Sequence, residues 1–226
     1  MKTTLFMIAS VDGKITTSAG SNPDYDWPNV NPHYLKIYYE QMLSMDIEGV
    51  VMSAHSFVNF MNLNKRLPKE WDRQVGVSIF VVDSRGLLNR KGVGNLLFRY
   101  KRVVIFVSKQ TPTNYIRLLE NLGVEFYQTP GEKVDYKKMF RQLEKLKYKK
   151  ISVESGGTLN SYLLRASLID EVHIVIVPIL VGGLETPSIM DGDQLKDWRG
   201  IIPMELMGID KLEHGFLKTK YRIVHK

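Results

Sequence analysis

The stretch Val153–Gly183, "VESGGTLNSYLLRASLIDEVHIVIVPILVGG", decides the fold. A β-branched run enters the pair Gly156-Gly157, an apolar-periodic segment follows over Leu159–Ile169, and a second apolar run, Glu171–Leu180, ends at Gly182-Gly183. Strand, helix and strand in succession imply a parallel sheet with helices on its faces. In such sheets ligands bind beyond the carboxyl ends of the strands. A helix that starts there offers unpaired N–H groups and partial positive charge, which suits a phosphate. The turn Ser155-Gly156-Gly157-Thr158 therefore either cradles a phosphate or is a tight turn whose glycines supply positive φ. It is neither a P-loop, having no GKS or GKT, nor a GxGxxG.

Outward from this unit, strands are expected at Thr3–Ser10, Ile47–Ser53, Val77–Ser84, Arg102–Ser108, Val124–Thr129 and Lys149–Ser155. Helices are expected over Asn31–Met45, with Asn31 as N-cap and Pro32 in the first position, and over Thr111–Gly123, closed by Gly123. A third, basic helix covers Tyr136–Lys150, with Met139, Leu143 and Leu146 as its apolar stripe. Pro178, late in its strand, argues for an edge or a bulge. Gly200–His225 has the short, broken runs of closing antiparallel strands, and Leu63–Gln74 reads as a long loop. The expectation is one α/β domain over residues 1–226, with a mostly parallel central sheet, flanking helices and a C-terminal antiparallel hairpin.

The 226 residues are 44% hydrophobic and 24% charged, and none is cysteine. This excludes a disulfide framework, a thiolate nucleophile and a Cys-ligated zinc. The apolar start ahead of Asp12 is too short for a secretion signal, and no run approaches the ~18 residues of a bilayer span. The expected setting is cytoplasmic, with no membrane partner. The net charge of +7 is densest in Tyr136–Lys150, where the basic side chains oppose an apolar stripe and read as a solvated helix face. With no zinc-finger, RNP or helix-turn-helix signature, no nucleic-acid partner is expected.

Polar residues gather at two further strand ends. Asp12, with Ser10, Gly13 and Lys14, is either a turn residue or a carboxylate at the mouth of the sheet, able to bind an amino-heterocycle or assist a proton. Arg85, in "VVDSRG", is either a bidentate phosphate fork or a solvent-facing turn residue. Trp27, Tyr34, Tyr38 and Tyr39 line a pocket or belong to the core.

Taken in order, "ASVDGKI" (9–15), "YDWPNVNPHYLKIYYEQMLSMDIEGVVMSAHSF" (25–57), "VVDSRG" (81–86) and the opening stretch resemble the reductase domain of the bifunctional riboflavin-biosynthesis deaminase/reductase. They also resemble its stand-alone relatives in the dihydrofolate-reductase-like superfamily. The resemblance implies an NADPH-dependent reductase without a metal. Its substrate would be a small heterocycle, 5-amino-6-(5-phosphoribosylamino)uracil or the diamino-pyrimidinone analogue, reduced to the ribitylamino product. Carried over by position, Gly156, Gly157, Thr158 and Leu159 would follow the cofactor diphosphate, and Ser53 would flank it. Ser84 and Arg85 would lie near the adenosine ribose and its 2′-phosphate, Ala9 behind the nicotinamide, and Glu154 beneath the site. Asp12 would face the substrate as proton donor, with bound water as the equal alternative, and Lys14 and Trp27 would complete the substrate contacts. A homodimer is implied too, with "HIVIVPIL" (173–180) as a contact strand. The chain departs from the family pattern at Phe6, at Ala54-His55 where glycines are usual, and in "NLNKRLPKEW" (62–71). These departures keep open another heterocyclic substrate, or a non-catalytic nucleotide-binding module.

Overall fold

The computed structural model describes residues 1–62 and 75–225; the loop expected over Leu63–Gln74 lies outside them. In chain order the elements are β1 (Lys2–Ser10), α1 (Pro23–Asp26), α2 (Tyr34–Leu43), β2 (Gly49–Ser53), α3 (Ala54–Asn62), β3 (Val75–Val82), α4 (Arg90–Arg99), β4 (Tyr100–Ser108), α5 (Thr113–Asn121) and β5 (Glu125–Thr129). There follow α6 (Tyr136–Lys145), β6 (Lys150–Val153), α7 (Gly157–Arg165), β7 (Glu171–Val177), β8 (Met204–Lys211) and β9 (Leu217–Ile223). The result is the expected α/β class: mostly parallel strands flanked by helices, closed by two antiparallel strands.

The chain forms two compact units, one of residues 47–152 with Met1, the other of 2–46 with 153–226. In the first, the strand order is β5-β4-β3-β2-β6, and β2 through β5 pair in parallel. Val103–Val107 and Ile79–Val82 are buried on both strand faces, as parallel strands covered on both sides must be. One core joins Ile79, Val81 and Ile105 to Val93 and Leu96 of α4 and to Leu119 of α5. In the second unit the order is β1-β7-β9-β8, with β1 parallel to β7 and the last two strands antiparallel. Phe6 and Ile8 pack there with Trp27, Tyr34, Val175 and Val177.

Local signals behave as their chemistry dictates. Gly123 stands past α5 at φ 65°, with Val124 N–H bonded to the Leu119 carbonyl at 3.0 Å, so the helix closes on a left-handed glycine. On α6, Met139, Phe140 and Leu143 are buried while Lys137, Lys138 and Arg141 face out. Four expectations need correction. Asn31 does not cap α2: its side chain accepts from His33 N–H at 3.1 Å, an Asx-turn that delays the helix to Tyr34. Pro178 marks neither an edge nor a bulge, because β7 ends at Val177 and is paired on both sides. Helix α7 starts at Gly157, two residues before the expected Leu159. Helix α4, capped by Asn89 accepting from Gly92 N–H at 2.9 Å, has no counterpart in the sequence expectation. Gly92 and Gly94 lower its helix propensity and blur its period.

Candidate functional site

The second unit brings three segments of the expected site together. Val153, the last residue of β6, is buried, and Glu154 and Ser155 beyond it are buried too. Gly156 then caps α7 in extended conformation (φ −72°, ψ 160°) and provides no side-chain hydrogen bond. The first turn, Gly157, Thr158 and Leu159, therefore begins without the side-chain cap that usually satisfies such amides. Asn160, fully buried, donates from its side chain to the carbonyls of Ser155 (3.2 Å) and Ile189 (2.9 Å), so the strand exit is held in place.

Gly157 is bare for a reason the sequence does not reveal. A Cβ there would collide with the Ser188 carbonyl and the Asp191 carboxylate. The 188–191 segment folds against this turn, with Asp191 N–H bonded to the Gly157 carbonyl at 3.1 Å. Asp191 in turn accepts from the backbone and hydroxyl of Ser188, at 2.9 and 2.7 Å. The helix start thus has a carboxylate from its own chain beside it.

Asp12 is fixed by three donors. Ser10 Oγ lies 2.6 Å from one carboxylate oxygen, which also accepts Val181 N–H at 3.1 Å; the other accepts Gly182 N–H at 2.7 Å. Gly182 and Gly183 stand at φ 75° and 87°, the left-handed region that presents successive N–H groups to an anion. Led by the Ser10 bond, these contacts bring the Asp12 carboxyl down from 3.8 to about 2. At neutral pH it is a carboxylate with no proton to give, so the proton-donor role expected for it does not fit its surroundings. Its hydrogen bonds instead hold the loop after β1 to the loop after β7.

Lys14 belongs to the same junction. Its ammonium donates to the Thr186 carbonyl at 3.0 Å, and its backbone bridges Ser188. Ala9 is 1% exposed and pairs with Ile176 in the sheet. Trp27 is 2% exposed, edge-on to Tyr34 in the core. Phe6, one of the departures from the family pattern, is fully buried and stacked on Tyr38. Nearby, Asp24 is an unforeseen half-buried carboxyl, accepting from Tyr34 (2.8 Å) and Tyr39 (3.2 Å), and desolvation raises its pKa.

In the first unit, the remaining expected residues stand at strand ends. Ser53 Oγ accepts from Ser56 N–H at 3.1 Å and so caps α3; His55 is exposed in that first turn. The turn after β3 is built by Asp83, a residue the sequence reading passed over. Asp83 is buried and accepts Leu87 and Leu88 N–H at 2.9 and 3.1 Å, while the Ser84 carbonyl accepts the Thr111 hydroxyl at 2.8 Å. Arg85 stands exposed at the tip of this turn. The spacing of Asp83 and Gly86, acid at the first and glycine at the fourth position of a turn with Gly86 at φ 66°, was the signal for the turn itself. Among the described residues no cluster of three metal-ligating side chains occurs, and no helix is long and apolar enough to cross a membrane.

Known proteins are similar to this chain. The chain is 25% identical over 123 residues to the 2,5-diamino-6-ribosylamino-4(3H)-pyrimidinone 5′-phosphate reductase of Aquifex aeolicus, covering 54% of each. It is 29% identical over 119 residues to the protein of that name from Archaeoglobus fulgidus, covering 52% of this chain and 51% of that one. The chain thus spans about half the length of these curated relatives. In structure it is similar to a pyrimidine reductase-like protein from Corynebacterium diphtheriae, with a TM-score of 0.71 at 17% identity, covering 100% of this chain and 92% of the other. It is also similar to RibD of Acinetobacter baumannii, with a TM-score of 0.66 at 16% identity over 99% and 58% of the two chains. The family profile described as the RibD C-terminal domain matches residues 1–218, nearly the whole chain, and the chain belongs to that family.

Proposed function

We propose that this chain is an NADPH-dependent reductase of a ribosylaminopyrimidine 5′-phosphate, the diamino-pyrimidinone or its aminouracil analogue, yielding the ribitylamino product. The observation that carries the reading is the first turn of α7, whose amides open without a side-chain cap at the exit of a buried strand. Membership of a family whose curated relatives bear this reductase name supports the substrate class. The family match over 1–218 supports treating the whole chain as one reductase domain.

NADPH supplies the hydride when bound. The N–H groups of Gly157, Thr158 and Leu159, with the positive end of α7, are assigned to its diphosphate. Ala9 and Glu154, in the same unit, are assigned to its remaining length. Asp12 positions the substrate-side loop through Val181 and Gly182, and the proton needed by the substrate nitrogen comes from water. Lys14 retains donor capacity beyond its bond to Thr186 and is assigned to the substrate. Trp27, being buried, is assigned a packing role rather than ligand contact.

Calorimetric titration tests this directly. NADPH should bind with heat, NADH about tenfold or more weakly for want of the 2′-phosphate charge. Gly156→Val should fold, because φ −72° suits any residue, yet lose NADPH binding as its side chain intrudes on the amides. No heat with NADPH, and no rise in melting temperature, would overturn the reading. If NADPH binds, loss of its absorbance on adding the ribosylaminopyrimidine phosphate, but not dihydrofolate, establishes the substrate.

A further inference from the structure

The second unit buries a cation without an anion to match it. Lys218 of β9 is 7% exposed, and among the described residues it is the one buried lysine. There its ammonium makes a single hydrogen bond, to the side-chain carbonyl of Gln41 on α2 at 3.1 Å, and no ion pair. It stands over the Phe6 ring, 5.8 Å from the centroid, and that ring is stacked in turn on Tyr38. An ammonium has three protons to donate, so two are left over. Taking a cation out of water is costly unless an opposite charge meets it.

The neighbouring acids are already engaged. The β7–β9 register sets Lys218 opposite Val175 and Lys220 opposite His173, and the β1–β7 register sets Phe6 opposite His173. Both lysines, His173 and Phe6 therefore share one sheet face. Asp210 opposes Lys218 across the β8–β9 ladder, yet its carboxylate lies 2.6 Å from the Lys220 ammonium. Glu171 is paired with Lys2 at 2.8 Å and lies 3.2 Å from His173 Nε2. On α2, Glu40 is exposed and reaches Lys36 at 4.0 Å. Burial, then the charge of Lys220, hold the Lys218 pKa below its ordinary value, with Asp210 offsetting only part of this.

We propose that Lys218, Lys220 and Gln41 form a subsite for a phosphate group, either free or carried as a monoester by a small molecule. The two ammonium groups come from alternate residues of one strand, and the Gln41 amide adds an N–H donor beside the carbonyl that already faces Lys218. Gln41 and Lys220 are only partly buried, which leaves a way in from solvent. Phosphate brings up to two negative charges and several acceptor oxygens to a place with two ammonium groups and one carboxylate. A lysine ammonium serves such a ligand as a compact point charge.

Thermal melts test this with inorganic phosphate as the probe. Against sodium chloride of equal ionic strength, phosphate at about ten times its Kd should raise the melting temperature by about 3–6 °C. Lys218→Met, similar in length but uncharged, should melt no lower than the wild type in chloride and gain nothing from phosphate. Lys218→Arg should keep part of the gain, and Gln41→Ala should bind phosphate about tenfold more weakly for want of one hydrogen bond to a charged group. Lys36→Met, at an exposed lysine of α2, should keep the whole gain. Titration calorimetry then separates the two sources: tighter binding of ribose 5-phosphate than of inorganic phosphate identifies an ester, and the reverse identifies free phosphate. No gain over chloride, an equal gain from acetate, or an equal loss of the gain in Lys36→Met would overturn the proposal. So would a Lys218→Met protein that melts well below the wild type in chloride, because its cation would then be compensated already. A gain that survives Lys218→Met but disappears in Gly156→Val would belong to the first turn of α7 and overturn the proposal too, so this subsite and the reductase reading fail separately.

Discussion

The two glycine pairs of this chain look alike in sequence and serve different physics. Gly156-Gly157 follows β6 at ordinary negative φ, and Gly157 is glycine because another segment lies against it. Gly182-Gly183 follows β7 in the left-handed region, where the chain turns as Val181 and Gly182 N–H donate to Asp12. The first pair makes room; the second makes a shape. A glycine pair at a strand exit is thus not evidence of a ligand until the conformation and the neighbour of each glycine are known.

Substitutions can break this distinction. The largest effect should come from Gly157→Val. The new side chain would meet the Ser188 carbonyl and Asp191, and overpacking of this kind costs about 1–3 kcal/mol. Urea denaturation should show that loss, whereas Gly156→Val should show little; equal losses would erase the contrast. Gly183→Ala comes next. Its φ of 87° strains any Cβ, at about 1–2 kcal/mol, and Thr186 crowds the same spot. If the protein tolerates that change without loss of melting temperature, the second pair is not held by its shape.

Asp12→Asn sharpens the comparison through pH. The folded-state pKa of Asp12 lies below its ordinary value, so its contribution is present above about pH 4 and is lost as pH falls toward about 2. The wild type should lose stability over that window, and Asp12→Asn should lose less of it. Identical acid profiles would show that the carboxylate does not hold the loop. The smallest expected change is Asp24→Asn. Desolvation raises the Asp24 pKa, so its ionisation opposes folding as pH rises, and a neutral amide should stabilise the protein slightly at pH 7 with the gain vanishing in acid.

The strand–helix alternation was legible because buried parallel strands such as Ile79–Val82 and Val103–Val107 are continuous apolar runs that nothing else in the chain imitates. The strand ends were legible as places, for the same reason that they are exits from such runs. Their chemistry was legible only in part. Asp12 could be located, but the loop it holds, through Val181 and Gly182, lies some 170 positions away. The contact that makes Gly157 necessary comes from Asp191, which no local pattern connects to it. Asp83 was overlooked because its partners, Leu87 and Leu88, are backbone groups with no side-chain signature. Helix α4 stayed hidden behind Gly92 and Gly94, where tertiary burial of Val93 and Leu96 overrides weak propensity.

The sequence separation of the Asp12 bonds also bears on how the chain is made. Strand β1 has its parallel partner at Glu171–Val177, and its exit loop is tied to Gly182. On a ribosome Thr4 has to wait for Glu171, and Ser10 for Val177, before that ladder can form. The stretch from Ile47 to Ser152 carries its own ladder partners and can condense while synthesis continues. The apolar run Leu5–Ala9 needs shielding over that interval.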